Sequence, residues 1–272
     1  APVTIGGLTA ANKVYDTTTA ATLVGTPVIS GGLMGSDTAT LSGTATTGTF
    51  ASASAASGIA VASNLSGLTI SNPNYYIADV ATGLTANITG KPVTITASAQ
   101  TTTYGTAIAN LGTAAFTSSG FIGGDSVSAV TLTYAGLTGV DATVNAGTYA
   151  GVITPSNAVA TAGTILSNYA ISYIGANLVV NPAPLTVAAD SQAMAYGAAT
   201  LPTFTYVATG LKNGDTPFTG SLTTSATAFN GGAGTASNVG TYVISQGSLS
   251  AGAKGLKKQE TKVYDEKYPT TH

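Results

Sequence analysis

The feature that most limits how this chain can fold is a short tyrosine motif that recurs along it. Lys13-Val14-Tyr15-Asp16 returns unchanged at residues 262–265, and shorter forms, each a Tyr followed by Gly, occur at Tyr104 and Tyr196. The first two intervals between the tyrosines are about 90 residues and the last is about 70. A landmark at such a period predicts tandem modules.

The composition favours strands over helices. Charged residues make up only 7% of the 272 residues, Gly is abundant at 34, and Glu is absent before Glu260. Disorder is not predicted, because hydrophobic residues reach 44% while the formal net charge is only −2. Thr- and Val-rich strands joined by glycine turns fit this composition. The sequence therefore predicts an all-β chain of small β-sandwich-like modules that form an elongated rod.

Several classes of protein are disfavoured by what the sequence lacks. The chain has no Cys, which excludes disulfides and thiolate metal sites. It has no apolar run of about 18 residues, so no membrane span is predicted. The nearly uncharged surface argues against nucleic-acid binding. An exported protein without disulfides is more typical of the bacterial cell surface than of small animal ectodomains.

Three modules share the same landmarks in the same order. They are predicted at residues 1–90, 91–182 and 183–253, and we call them modules one, two and three. Each begins with an alternating strand, such as Val93-Thr94-Ile95. A tyrosine landmark, a Gly-Asp turn and a Gly-Thr-aromatic step then follow. Modules one and two continue with an Asn-Tyr hairpin, at Tyr75 and Tyr169, which module three lacks before residue 253.

Residues 254–272 form a lysine-rich tail with three interpretations. The tail can fold back and complete the sheet of module three, or add a strand to a neighbouring chain, because an open sheet edge accepts either. The third interpretation, favoured here, is that the motif ending in Asp265 begins a fourth module.

The landmarks resemble those of known bacterial modules. The stretches KVYDTTTAATL, GTF and NYYI of module one resemble the YDG module of large bacterial exported adhesins. The stretches TTTYG, GFIGGD, GTY and SNYAI, and then AMAYG, GLKNGD and GTY, are similar to the mostly-β, glycine-rich (MBG) modules that follow it. Thr17 departs from the YDG pattern, which has Gly there.

The resemblance implies a function without catalysis. It suggests a structural or adhesive stalk segment of an extracellular, cell-surface or biofilm-matrix protein, with no cofactor. The expected partners are other copies of the chain, further modules of the same chain, and matrix or host glycans or proteins. The alternative is a self-assembling extracellular fibre subunit joined by strand exchange.

Few side chains are candidates for a site. His272 is the sole histidine and the last residue, so no catalytic residue is predicted. Asp37, Asp125 and Asp215 of the Gly-Asp turns are weak calcium candidates, since each turn offers only one carboxylate. The module landmarks Tyr15, Asp16, Tyr104, Tyr196 and Tyr264 are predicted to be structural. Tyr15, Tyr104 and Tyr196 are expected to be buried equivalents, each with its hydroxyl at the rim.

Overall fold

The computed structural model describes residues 1–78, 83–108, 110–137, 142–252 and, for the backbone alone, 256–258. Over these residues the chain consists of β-strands and one short 3₁₀ helix, η1 (Leu166–Asn168). This confirms the all-β prediction. In this part of the chain no helix has the length and apolar character needed to cross a membrane.

Module one contains nine strands, and its main sheet has the order β2-β9-β6-β5-β3-β1-β8. The alternation predicted at its start is observed, because Val3 and Ile5 of β1 are buried and Thr4 between them is exposed. A second, two-stranded sheet pairs β4 with β7. The strands are β1 (Pro2–Ala10), β2 (Lys13–Val14), β3 (Ala20–Gly31), β4 (Leu41–Gly43), β5 (Thr47–Phe50), β6 (Ala56–Ser63), β7 (Leu68–Ile70), β8 (Tyr76–Ile77) and β9 (Thr85–Thr89).

Module two contains seven strands in two sheets, of order β12-β10-β15 and β11-β16-β14-β13. The alternating pattern again predicts the buried face, since Val93, Ile95 and Ala97 of β10 all point inward. The strands are β10 (Lys91–Ala97), β11 (Gln100–Thr103), β12 (Phe116–Ser119), β13 (Val127–Tyr134), β14 (Gly147–Ala160), β15 (Tyr169–Ile174) and β16 (Ala176–Asn181).

Module three has mostly short strands, arranged in three small sheets. One sheet has the order β18-β17-β23, and two further pairs are β19-β22 and β20-β21. The strands are β17 (Ala183–Ala189), β18 (Tyr206–Thr209), β19 (Phe218–Thr219), β20 (Thr223–Thr224), β21 (Ile244–Ser245), β22 (Ser250–Ala251) and β23 (Leu256–Lys258).

The first strand of each module has the same two kinds of neighbour. Strand β1 pairs antiparallel with β3 and parallel with β8. Strand β10 pairs in the same way with β12 and β15, and β17 with β18 and β23. The internal repeat read from the sequence is therefore a repeat of strand topology.

The start of the tail takes part in this topology. Strand β23 pairs parallel with β17, with Ala183 opposite Leu256 and Pro184 opposite Lys257. This is the place that β15 occupies in module two. Of the three interpretations of the tail, completion of the module-three sheet by the same chain describes residues 256–258. The rest of the tail lies outside the described residues.

The chain divides into two compact units, each with its own core. Unit 1 comprises Ala1–Ala97, Gly112–Leu132 and Pro155–Ile174, and unit 2 comprises Ser98–Leu111, Thr133–Thr154 and Gly175–His272. Phe50, Ile88 and Ile95 are among the most deeply buried side chains of unit 1. One cluster in unit 2 is Leu185, Val187, Leu222, Ile244 and Leu249. The predicted module boundaries near residues 90 and 182 stay a prediction.

A glycine at the same position in each module permits a close approach of two backbone segments. Gly32, Gly120 and Gly210 have φ values of +95°, +100° and +96°. A Cβ on these residues would lie 2.4, 2.6 and 2.3 Å from the carbonyl oxygens of Pro2, Pro92 and Pro184, respectively. Each glycine follows the strand that pairs antiparallel with the first strand and leads into the Gly-Asp turn. Only glycine fits this position, for steric and conformational reasons.

Candidate functional site

The Lys-Val-Tyr-Asp landmark of module one is a compact polar clasp. The Asp16 carboxylate accepts hydrogen bonds from Lys13 Nζ at 2.8 Å and from the backbone N–H of Thr18 at 2.9 Å. The hydrogen bond from Lys13 lowers the pKa of Asp16 to about 2. Lys13 Nζ also lies 5.5 Å from the centre of the Phe50 ring. The clasp fixes the backbone on both sides of Tyr15 and leaves its ring pointing into the core.

The landmark tyrosines of modules one and two are held by the last strand of their own module. The backbone N–H of Tyr15 donates to Thr89 O at 2.9 Å, and that of Tyr104 donates to Asn181 O at 2.8 Å. Both rings are buried, with 8% and 4% of their surface exposed. The predicted burial is confirmed for these two residues.

Tyr196 is not buried as Tyr15 and Tyr104 are. It is 69% exposed, so the expectation that it is buried like Tyr15 and Tyr104 was wrong. The physical reason is local, because residues 190–205 form no strand, whereas β2 and β11 lead directly into the other two landmarks. The fourth landmark, Tyr264, lies outside the described residues.

The three Gly-Asp turns share one backbone hydrogen bond, although the first has only one residue, Gly35, at positive φ. The N–H groups of Asp37, Asp125 and Asp215 donate to the carbonyl three residues earlier, at 3.1, 3.1 and 2.9 Å. The second turn has Gly123 and Gly124 at positive φ, and the third has Asn213 and Gly214. Two successive residues of this kind produce a type I′ turn, for which Gly and Asn are suited.

Each turn carboxylate accepts a hydrogen bond from a tyrosine hydroxyl. Tyr75 donates to Asp37 at 2.6 Å, Tyr169 to Asp125 at 2.5 Å and Tyr104 to Asp215 at 2.7 Å. Burial, followed by the hydrogen bond to Asp125, raises the pKa of Tyr169 to about 12. The hydrogen bond to Asp37 raises the pKa of Tyr75.

The third pair links two successive modules. Tyr104 belongs to module two and Asp215 to module three, whereas the other two pairs lie within one module. At the equivalent register position, Leu256 stands opposite Ala183, whereas Tyr169 stands opposite Lys91. Leucine has no hydroxyl to donate. The Asn213 side chain reinforces the link by donating to Ala142 O at 2.9 Å, next to the bond from Gly105 N–H at 3.1 Å.

Aromatic packing links modules one and two. The ring of Tyr15 meets that of Tyr169 edge to face at 5.4 Å, and Phe121 meets the other side at 4.8 Å. Asn168, the buried polar side chain beside Tyr169, accepts a hydrogen bond from the N–H of Ala55 at 2.8 Å. Both contacts lie within unit 1.

The described residues contain no cluster of metal-binding side chains that would support the calcium prediction. Within the described ranges, no three His, Cys, Asp or Glu residues come together as a possible metal site. One oxygen of each of Asp37, Asp125 and Asp215 already accepts a tyrosine hydroxyl. Calcium binding at these turns stays a prediction.

A cavity of about 340 Å³ lies beside Tyr196 in module three. Its lining includes Ala193 to Gly197, and also Asn238, Val239, Gly240 and Tyr242. Leu201 and Phe204 contribute apolar surface. We call this cavity the Tyr196 groove.

Family comparison agrees with the order of these landmarks. Residues 1–82 match the model of the YDG domain. Residues 93–179 and 185–254 match that of the MBG domain of the YGX type. The chain belongs to the YDG and MBG domain families. Comparisons with curated proteins and with solved structures give no match.

The family description accounts for the landmarks. The Tyr-Gly step at Tyr104 and Tyr196 is the feature after which the YGX type is described, and both MBG matches contain it. The predicted arrangement of a YDG domain followed by MBG domains is confirmed. Thr17 is a departure within the YDG domain, since it adopts φ +70°, a left-handed conformation that glycine adopts without strain.

Sequence reasoning missed the partners of the aspartates. It identified Tyr75 and Tyr169 only as hairpin landmarks and assigned the turn aspartates to turn geometry or calcium. The available signal was their co-occurrence, because both modules that contain the Asn-Tyr hairpin also contain a Gly-Asp turn. Nothing in the sequence indicated that Asp215 takes its tyrosine from the preceding domain.

Proposed function

We propose that this chain is a structural or adhesive stalk segment of an exported bacterial surface or matrix protein. The observation that carries the proposal is the repeated joint between successive domains, in which a tyrosine landmark meets the next Gly-Asp turn region. Tyr15 packs on Tyr169 at the first joint, and Tyr104 donates to Asp215 at the second. Such contacts join successive domains by specific side-chain interactions, as a spacer under tension requires.

The families and the composition agree with a passive role outside the cell. YDG and MBG domains are not known as catalytic domains. The chain lacks Cys and carries little charge, which suits an exported protein that needs neither disulfides nor an ionic partner. Any glycan or protein of the matrix or host is then contacted by exposed strand and loop surfaces.

The stalk proposal predicts an extended particle in solution. Three modules of about 90 residues, each about 30 Å across, give a rod of about 100 Å with a radius of gyration of about 30 Å. A single compact body of this length has a radius of gyration of about 19 Å. Small-angle X-ray scattering distinguishes the two values, and a result near 19 Å contradicts the spacer role.

The alternative, a self-assembling fibre subunit joined by strand exchange, has weaker support. Strand β9 lies between β2 and β6, and β16 lies between β11 and β14, so both closing strands are already paired on each side. Residues 259–272 contain no two strongly apolar residues at alternate positions. Light scattering after size-exclusion chromatography tests the alternative, since a fibre subunit forms larger species as the concentration rises.

A further inference from the structure

The joint between modules two and three contains a chemically labile dipeptide. The sequence Asn-Gly occurs at Asn213-Gly214, in the Gly-Asp turn of module three, and again at Asn230-Gly231. Asparagine is among the thermolabile residues of proteins. It is most labile before glycine, because glycine has no side chain to hinder attack of its own backbone nitrogen on the asparagine side chain. Asn213 and Asn230 are therefore the asparagines of this chain most prone to lose the side-chain amide.

The fold leaves the Asn213-Gly214 step open to this reaction. Both residues are exposed, so water reaches them. A Cβ on Gly214 would meet nothing within 4 Å, so no neighbouring group covers this residue. The N–H of Gly214 donates no backbone hydrogen bond to another described residue. The backbone nitrogen of Gly214 is therefore neither bonded nor shielded.

The Asn213 side chain is also a contact between the two modules. Its Nδ2 donates to Ala142 O of module two at 2.9 Å. The neighbouring residue, Lys212, lies directly on the Tyr-Gly landmark of module two, because a Cβ on Gly105 would come within 2.3 Å of Lys212 Cγ. The labile residue thus lies in the part of the turn that touches the preceding domain.

Loss of the amide replaces attraction by repulsion at this contact. The Ala142 carbonyl oxygen would then face a carboxylate oxygen instead of an N–H donor, and two acceptors cannot form a hydrogen bond. The new charge would also lie close to Asp215, whose carboxylate accepts the Tyr104 hydroxyl at 2.7 Å. Like charges at short distance repel each other. Both changes oppose the contact between modules two and three.

We propose that Asn213-Gly214 is a self-acting modification site whose deamidation weakens the joint between modules two and three. The backbone nitrogen of Gly214 attacks Cγ of Asn213 and forms a C–N bond, while the side-chain nitrogen leaves as ammonia with the N–H proton of Gly214. Water then opens the succinimide ring and produces an aspartate or an isoaspartate, which is ionised at neutral pH. The joint therefore has a finite chemical lifetime. This inference rests on the geometry of the joint and not on the stalk proposal.

The second Asn-Gly step provides a control within the same module. Asn230 Oδ1 accepts the N–H of Gly232 at 3.3 Å, and a carboxylate oxygen can accept the same bond. Among the described residues, the Asn230 side chain has no hydrogen bond to module two. Deamidation of Asn230 is therefore expected to leave the joint unchanged.

Ageing of the full chain tests whether the site reacts. The chain is incubated at mildly alkaline pH and physiological temperature, and peptide mapping by mass spectrometry follows the replacement of NH₂ by OH at each asparagine. Asn213 and Asn230 are expected to convert, whereas Asn238, which precedes Val, is expected to keep its amide. Absence of conversion at Asn213, whether or not Asn230 converts, overturns the proposal.

Hydrogen exchange tests the effect on the joint. In Asn213→Asp, the amides of residues 104–106 and 212–215 are expected to lose protection by about fivefold or more, which corresponds to the loss of one hydrogen bond. Asn230→Asp is the matched control and should keep the wild-type protection there. The aged wild-type chain allows the same comparison without a substitution. Wild-type protection in Asn213→Asp, or an equal loss in Asn230→Asp, overturns the proposal.

A third variant separates the lost bond from the added charge. Asn213→Gly gives the turn the Gly-Gly sequence that module two has at Gly123 and Gly124, and it removes the bond to Ala142 without a new carboxylate. Its protection at the joint should lie between those of the wild type and Asn213→Asp. Protection as low as that in Asn213→Asp would show that repulsion has no part in the effect and would overturn that step of the proposal.

Discussion

At the residue scale, tyrosine hydroxyls and turn carboxylates form the recurrent polar contacts of the fold. A hydroxyl bound to a carboxylate is a strong hydrogen bond, because its acceptor is ionised. Asp125 and Asp215 are half-buried, whereas Asp37 is exposed, so loss of the hydroxyl leaves a partly desolvated carboxylate without its donor at the second and third turns. These pairs therefore stabilise the positions of the turns and, at Asp215, the position of the next domain.

Removal of one hydroxyl is expected to weaken the second joint. Tyr104→Phe should lower the free energy of unfolding by about 1–2 kcal/mol, because the bond to Asp215 is lost from a buried residue. Tyr196→Phe is the matched control at the equivalent landmark, and its exposure predicts a change below about 0.5 kcal/mol. Chemical denaturation measures both. Equal effects contradict the assigned role of Tyr104.

The carboxyl group of Asp16 is expected to titrate at unusually low pH. Its pKa is lower when folded, so its contribution to stability is present above about pH 4 and is lost as the pH falls through about 2. Because Asp16 is half exposed, that contribution should stay below about 1 kcal/mol. NMR titration of the carboxyl carbons measures the midpoint. In Lys13→Met the titration midpoint of Asp16 should move up towards 4. An unchanged midpoint would show that the hydrogen bond from Lys13 does not lower the pKa of Asp16.

Thr17 offers a site for stabilisation. It is β-branched and exposed, and it adopts φ +70°, which is strained for such a residue. Thr17→Gly is expected to raise the free energy of unfolding by about 1 kcal/mol despite the added flexibility of the unfolded chain. Thr18→Gly is the control, and it should be destabilising because Thr18 binds Asp16 without this strain. A loss of stability in Thr17→Gly contradicts the argument from strain.

At the element scale, the fold depends on a close backbone contact in each module. The first strand of the module contacts the glycine that follows its antiparallel partner strand. Gly120→Ala places a Cβ 2.6 Å from Pro92 O and should cost more than about 2 kcal/mol. Gly163→Ala is the control, since Gly163 has a similar φ of +92° but open space around it. It should cost about 1 kcal/mol from backbone strain alone. Thermal unfolding of the two variants compares the cost of backbone strain alone with the cost of strain plus the steric clash. Equal losses of stability in the two variants rule out a contribution from the clash.

Much of the element order follows from local sequence signals. Alternation predicts the buried faces of β1 and β10, and a glycine one or two residues before an aspartate predicts the Gly-Asp turns, since both signals depend on neighbours along the chain. The pairing of β1 with β8, or of β17 with β23, depends on contacts between distant segments and has no local signal. Tyr196 shows the limit clearly, because a strand leads into Tyr15 and Tyr104 but none forms over residues 190–205, and the Tyr-Gly motif itself does not encode that difference.

At the scale of the whole molecule, the strands that enter and leave a module meet in parallel. Strand β1 runs parallel to β8, and β2 runs parallel to β9, while module two repeats this with β10 and β15 and with β11 and β16. Tension on the two ends of such a module pulls the paired strands along their own axes. All the hydrogen bonds between them then bear the load together and must break at once, which is the shear geometry of a mechanical clamp.

Module three has only one of the two parallel clamps among its described residues, the pair β17 and β23. It is therefore expected to rupture first, and at a lower force, when the chain is stretched in a single-molecule force experiment. Forced unfolding reports the unfolding barrier rather than the equilibrium stability. Equal rupture forces for the three modules would contradict this expectation.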